Sequence, residues 1–316
     1  MKNTIRRITT SSTWAASTDM TPVDLPREGL ITEVTIRANI TCTLTAAAYD
    51  DFWRRILQNI KIQGDGGRAF LGMSGVQMST ILCLWNEIVY GMPTLQSNGA
   101  GIALAVPDVG STTFNTIMKF HPGSNPRNPF DLTAAIPARA LSTLQALLTT
   151  TAAASIVDTA SISAGTYNYE ICEVLDVPVP AGLMVPMGST LAYAHTANYS
   201  DFSYEIDVPT GAFLRSIVVR VNDETDPIRR KSDEVTGIRL RKPSTGEVVF
   251  EQSIRELATS MMLQNGCRGI AGEVGPVGAI ADLRPSGGEI TAIVPAGFAV
   301  IDLRPFGNPL YGIDLR

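Results

Sequence analysis

Two histidines, four cysteines and a few acidic or glycine-rich runs are the residues of this 316-residue chain whose types could do chemistry. His121 sits in F-H-P-G and His195 in A-Y-A-H-T-A, and neither lies in a G-x-S-x-G or H-E-x-x-H pattern. G-D-G-G-R (64–68) has the glycines of a phosphate loop but not its G-K-[ST] ending. It also lies between two strand-like segments, whereas a phosphate cradle needs a helix N-terminus behind it, so a hairpin turn is expected. N-D-E-T-D (222–226) offers oxygen ligands without the spaced acids and closing Glu of a calcium loop, and reads as a solvated loop. Asp50-Asp51, ahead of Phe52-Trp53-Arg54-Arg55, reads as a charged connector. Cys42, Cys83, Cys172 and Cys267 are scattered, with no C-x-x-C pair and no histidine at zinc-ligand spacing. They are expected to be buried free thiols, as in a protein made in a reducing cytoplasm. No catalytic residue, cofactor or metal is expected, and the chain does not read as an enzyme.

The elements that would position such residues are more informative, because they occur twice. L-P-R-E-G-L-I-T-E-V-T-I-R-A-N (25–39) returns as V-P-T-G-A-F-L-R-S-I-V-V-R-V-N (208–222), displaced by 183 residues. M-K-F-H-P-G-S-N-P-R-N-P-F-D-L (118–132) returns as I-D-L-R-P-F-G-N-P-L-Y-G-I-D-L (301–315) at the same displacement. Between them, I-K-I-Q-G-D-G-G-R-A-F-L (60–71) matches I-R-L-R-K-P-S-T-G-E-V-V-F (238–250). A long-period repeat of this kind indicates two copies of one fold. At the 183 displacement His121 stands opposite Arg304, an exchange no catalytic histidine would permit, so both are expected to be surface turn residues.

Within each copy the pattern is β. Leu30, Thr32, Val34, Ile36, Ala38, Ile40, Cys42 and Leu44 alternate with Ile31, Glu33, Thr35, Arg37, Asn39, Thr41 and Thr43, which predicts one buried and one wet face of an antiparallel strand. Asp65-Gly66 and Pro243-Ser244-Thr245-Gly246 predict tight turns. A helix is expected after each hairpin. One carries Val76, Ile81, Leu82, Trp85, Ile88 and Val89. The other opens on a Ser253/Glu256 capping box and carries Ile254, Leu257, Ala258, Met261 and Met262. Further strand candidates are 138–152, 167–177, 189–208, 278–284 and 289–294.

Composition sets outer bounds. A hydrophobic fraction of 45% against 17% charge can bury cores in two domains. The net charge of −5 argues against a surface dedicated to nucleic acid. No stretch approaches the roughly 20 apolar residues of a membrane span, and no signal-peptide pattern opens the chain. Residues 1–18 hold Lys2, Arg6 and Arg7 with Ser and Thr over 9–17, and read as a mobile, weakly basic arm.

A duplicated antiparallel unit of about eight strands suggests an all-β protein of two side-by-side jelly rolls, each with a short inserted helix. The expected domains are an arm (1–24), a first jelly roll (25–206) and a second (207–316). On L-P-R-E-G-L with its V-P-T-G-A-F echo, the strand–turn–strand–helix after each, and the turns F-H-P-G-S-N-P and L-R-P-F-G-N-P, the chain resembles the double-jelly-roll major capsid proteins of tailless icosahedral viruses, especially membrane-containing bacteriophages. The resemblance covers about residues 25–316. It implies a virion shell subunit, assembled in the host cytoplasm, that trimerises into pseudo-hexameric capsomers. Its partners would be copies of itself, penton and minor capsid proteins and an internal lipid membrane, with no sequence-specific nucleic acid. The arm, with Lys2, Arg6 and Arg7, would face the interior. A carbohydrate- or receptor-binding spike or lectin-like β protein is the alternative. About 70 residues follow Leu132 before the next opener and one follows Leu315. The second barrel is therefore expected either to close compactly or to need further C-terminal sequence.

Overall fold

The computed structural model describes residues 4–44, 56–74, 95–97, 102–103, 110–123, 128, 130–152, 160–180, 183, 185, 211–221, 235–242, 245–253, 256–257, 298–304 and 312–314. The described residues up to 185 form one compact unit and those from 211 onward form another. The domain boundary expected at 206/207 lies outside the described residues.

The first unit holds β1 (Thr4–Thr13), β2 (Val23–Asp24), β3 (Leu30–Leu44), β4 (Leu57–Gly64), β5 (Arg68–Met73), β6 (Leu95–Ser97), β7 (Ile102–Ala103), β8 (Gly110–Phe120), β9 (Leu144–Thr150) and β10 (Ala160–Leu175). They make two antiparallel sheets, ordered β1-β10-β3-β8-β6-β7 and β2-β9-β4-β5. With the small β6–β7 hairpin set aside, the order is that of one long hairpin folded over on itself. The first strand pairs with the last, β2 with β9, β3 with β8 and β4 with β5. This is the strand order of a jelly roll.

The N-terminal segment departs from its expectation. Thr4–Thr13 is not an arm but a strand, in register with β10 from Thr4↔Leu175 to Thr13↔Thr166. With β2 it supplies two of the eight strands, so the barrel begins well before residue 25. The physical reason is that β10 runs sixteen residues and would otherwise offer an open edge of peptide groups, which β1 satisfies.

The core lies between the two sheets. Val34, Ile36, Ala38, Ile40 and Cys42 of β3 meet Ile60 and Ile62 of β4, Phe70 of β5, Leu144, Ala146 and Leu148 of β9, and Tyr167, Tyr169 and Ile171 of β10 in one buried cluster. The inward-facing set holds from Val34 to Cys42, but Thr35 on the face expected to be wet is buried as well, and the alternation fails at the start of the strand. A register shift leaves Thr32 without a partner between Ile31↔Glu173 and Glu33↔Cys172. This bulge turns the alternation over, and Ile31, not Leu30, joins the core cluster. Trp14 packs against Gly165, where a Cβ would lie 2.7 Å from Trp14 Cβ and from Ile40 Cδ1.

Tyr167 is fully buried and its hydroxyl has no hydrogen-bond partner. Burial, with Tyr169 beside it, holds the phenol well above its ordinary pKa. Tyr167→Phe removes an unsatisfied buried hydroxyl while keeping the ring. It should raise stability by about 1 kcal/mol, read as a higher denaturation midpoint; a fall of that size would show that the hydroxyl is bonded.

The second unit holds β11 (Phe213–Leu214), β12 (Ser216–Arg220), β13 (Gly237–Arg241), β14 (Val248–Ser253), β15 (Phe298–Asp302) and β16 (Ile313–Asp314), paired β11–β16, β12–β15 and β13–β14. The β12–β15 and β13–β14 ladders are the counterparts of β3–β8 and β4–β5. The likeness extends to backbone irregularity. The first hairpin shifts register between Ile62 and Gln63, and the second between Leu240 and Arg241, the same place in the matched blocks. Phe250, Leu257, Ile301, Leu303 and Ile313 form this unit's own core. Counterparts of β1, β2, β9 and β10 are not among its described residues.

The inserted helices are not seen. Among the described residues the longest helical segment is a 3-10 turn, Ala138–Ala140. The helix expected over 76–89 lies outside them. The capping box itself is formed: Ser253 N and Oγ donate to Glu256 Oε2 at 2.8 and 2.9 Å, and Glu256 N donates to Ser253 Oγ at 3.1 Å. Glu256 and Leu257 carry helical backbone, and residues 258–297 lie outside the described residues.

Candidate functional site

The residues singled out for chemistry are not brought together. G-D-G-G-R is the β4–β5 turn, with positive φ at Asp65, Gly66 and Gly67. Its groups are engaged within the fold. Asp65 Oδ1 accepts from Ser142 N (2.7 Å), Ser142 Oγ (2.7 Å) and Thr143 N (3.1 Å), and Asp65 N donates to Thr143 Oγ1. The Ser142 hydroxyl and these amides hold the Asp65 carboxyl below the usual carboxylate range. Arg27 donates to the carbonyls of Leu141 and Ser142 from the other side. The turn is thus a clamp between β4–β5 and the segment leading into β9.

Cys42 and Cys172 are buried free thiols, and burial pushes Cys42 up to about 12. Cys83, Cys267, His195, Asp50–Arg55 and the 222–226 loop lie outside the described residues. Among the described residues no group of three or more His, Cys, Asp or Glu could hold a metal ion, and no helix is long and apolar enough to cross a membrane. Lys2 lies outside the described residues. Arg6 and Arg7 occupy β1, opposite Glu173 and Cys172 of β10.

Two buried polar sites were not foreseen. The first explains the opener L-P-R-E-G-L. Glu173 is fully buried at the β3 bulge, and its Oε1 accepts from the amides of Glu28 and Gly29, each at 2.6 Å. A Cβ on Gly29 would lie 2.1 Å from the carbonyl oxygen of Val174. The glycine therefore lets the chain pass against β10, and the carboxylate ties it there. The run Y-E-I-C-E-V-L holds two glutamates, Glu170 and Glu173, and only the pairing of β10 with β3 shows that Glu173 is the one at the bulge.

The second site is under the F-H-P-G turn. His121 is fully buried, not a surface turn residue. Exchange with Arg304 misled because each position solves its own burial problem: Arg304 Nε donates to Asp302 Oδ1 and Oδ2 at 2.9 and 3.0 Å. Around His121 stand Glu33, ion-paired to Lys119 at 2.6 Å, and Asp131, whose Oδ1 accepts from Thr133 N and Oγ1. Burial pushes His121 below the ordinary imidazole range, against the opposing pull of Glu33.

The duplicated topology can be set beside known folds. The chain is similar to a crystal structure of the major capsid protein of Sulfolobus turreted icosahedral virus, at 15% identity and a TM-score of 0.66, over 99% of this chain and 88% of that one. The fold is a double jelly roll. An atomic structure of the same virus aligns over 98% of this chain and 82% of that one, at 15% identity and a TM-score of 0.61. A quasi-atomic PBCV-1 virus capsid aligns over 98% and 80%, at 11% identity and a TM-score of 0.58. No family model and no curated protein sequence matches the chain. The double jelly roll presents two like units in one chain.

Proposed function

We propose that the chain is the major capsid protein of an icosahedral virus, a shell subunit with no catalytic role. The observation that carries this reading is the paired jelly roll itself, which matches viral major capsid proteins along nearly the whole chain. Two like barrels in one chain give a trimer six similar columns, so the trimer tiles as a pseudo-hexamer. Self-association is then the function, with penton and minor capsid proteins as further partners and a bacteriophage as the source the opener motifs suggest. The N-terminal end of the chain, with Lys2, Arg6 and Arg7, faces the shell interior. There it would gain about 1 kcal/mol per basic residue near an anionic lipid surface.

Light scattering on the purified chain, with negative-stain imaging, tests the proposal. A trimer with a six-sided outline is expected. A monomer at every concentration that binds a glycan with no assembly would overturn it in favour of a lectin-like module.

A further inference from the structure

One buried group in the first unit, His121, is set where a second proton would be costly. His121 Nε2 lies 3.3 Å from the carbonyl oxygen of Asn128. A carbonyl only accepts, so Nε2 carries the proton and Nδ1 is the bare nitrogen of a neutral ring. Nδ1 is buried and has no partner. A second proton would therefore create a charged N–H with no acceptor in a closed site, a costly state. The walls leave little room to adjust. A Cβ on Gly123 would lie 2.8 Å from both His121 Cε1 and Asp131 Oδ2.

Among the described residues, the charged groups facing the ring are Glu33 from β3, Lys119 from β8 and Asp131 from the segment 130–138. Glu33 and Asp131 favour the charged ring, Lys119 disfavours it, and the ring's burial outweighs them all. The same segment crosses the start of β3, where Ile31 and Ile136 exchange both backbone hydrogen bonds at 2.9 Å. Asn128, which takes the His121 bond, also accepts from Asp131 N at 3.0 Å. His121, Asn128, Asp131 and Ile136 thus form one strap over β3.

We propose that His121 is an acid-sensitive latch: neutral, it holds the strap 130–138 against β3, and protonated, it leaves its site and loosens the strap. The inference concerns the first unit alone and stands whether or not the chain builds a shell. A histidine depressed in the folded state stabilises fully above its unfolded value of 6.5, and that contribution is lost as pH falls below it. One proton limits the effect to about tenfold in the closed-to-open ratio per pH unit.

The test uses the full chain. His195→Gln leaves His121 as the one remaining histidine, so its ring resonances can be followed by NMR between pH 7.5 and 5. Hydrogen exchange of peptides covering 130–138, corrected for the intrinsic pH dependence of exchange, reports the strap. The ring should titrate below 6.5, with strap protection falling in step. In His121→Gln, whose amide can donate to Asn128 but does not titrate, protection should be flat. A ring titrating at or above 6.5, or equal loss of protection in His121→Gln, would overturn the latch. Should His121→Gln fail to fold, the ring titration and wild-type exchange decide the matter, since a strap that keeps its protection to pH 5 also ends the proposal.

Discussion

Gly29→Ala should cost about 4 kcal/mol and leave little folded protein at 37 °C. The added methyl would stand 2.1 Å from the carbonyl oxygen of Val174, which is backbone within a paired strand and cannot swing aside. Relief requires Gly29 to retreat from β10, and retreat pulls its amide and that of Glu28 off Glu173. A fully buried carboxylate then loses two charge-assisted bonds, each worth about 1.5–3 kcal/mol. The control is Gly66→Ala. Gly66 has φ +73° and nothing within 4 Å of a new Cβ, so only backbone strain of about 1–2 kcal/mol is added. Chemical denaturation of the two variants should separate them clearly. Equal midpoints would mean that the opener glycine matters for turn conformation and not for close approach.

Phe70→Ala should be the most damaging single truncation in the first unit's core, at about 3–5 kcal/mol, or a fall of about 10 °C in Tm. Phe70 is fully buried on β5, the edge strand of the four-stranded sheet, and its Cε2 lies 3.2 Å from the point where a Cβ on Gly64 would sit. The close approach at Gly64 shows that the ring already fills the space beside the turn, so few neighbours can close over the void. Arg68 also stacks on the ring, with its guanidinium carbon 5.4 Å from the centroid, and loses that contact. Phe70→Leu keeps much of the volume and should recover more than half the loss; a scanning-calorimetry series over the three residues checks the order.

The sequence made the two-copy plan legible because β-period alternation and turn chemistry are local. Val34 to Cys42 could be assigned to one face by reading, and Asp65-Gly66 announced the hairpin. The bulge could not be read. Thr32 looks like any other member of the alternation, and only the pairing with β10, some 140 positions away, shows that it is extra. The same holds for β1. T-I-R-R-I-T-T-S-S-T has no apolar period, so its composition resembles a loose terminus, although threonine favours strands. Its order comes from a partner, which a local window cannot contain. His121 and Glu173 share this logic: a polar residue's burial depends on what the fold lays over it.

The place of β1 has a consequence for how the protein is made. Thr4–Thr13 leaves the ribosome well before its partner residues Thr166–Leu175, which emerge more than 150 positions later. At typical synthesis rates this strand waits on the order of ten seconds or more with its peptide groups unclaimed. An apolar strand in that position would recruit the same segment of neighbouring nascent chains. A run of threonine and serine with two adjacent arginines pairs well when its partner arrives and poorly with copies of itself before then. The weak pattern that hides β1 from a reader of the sequence is the property that lets the barrel's first strand also be one of the last to dock.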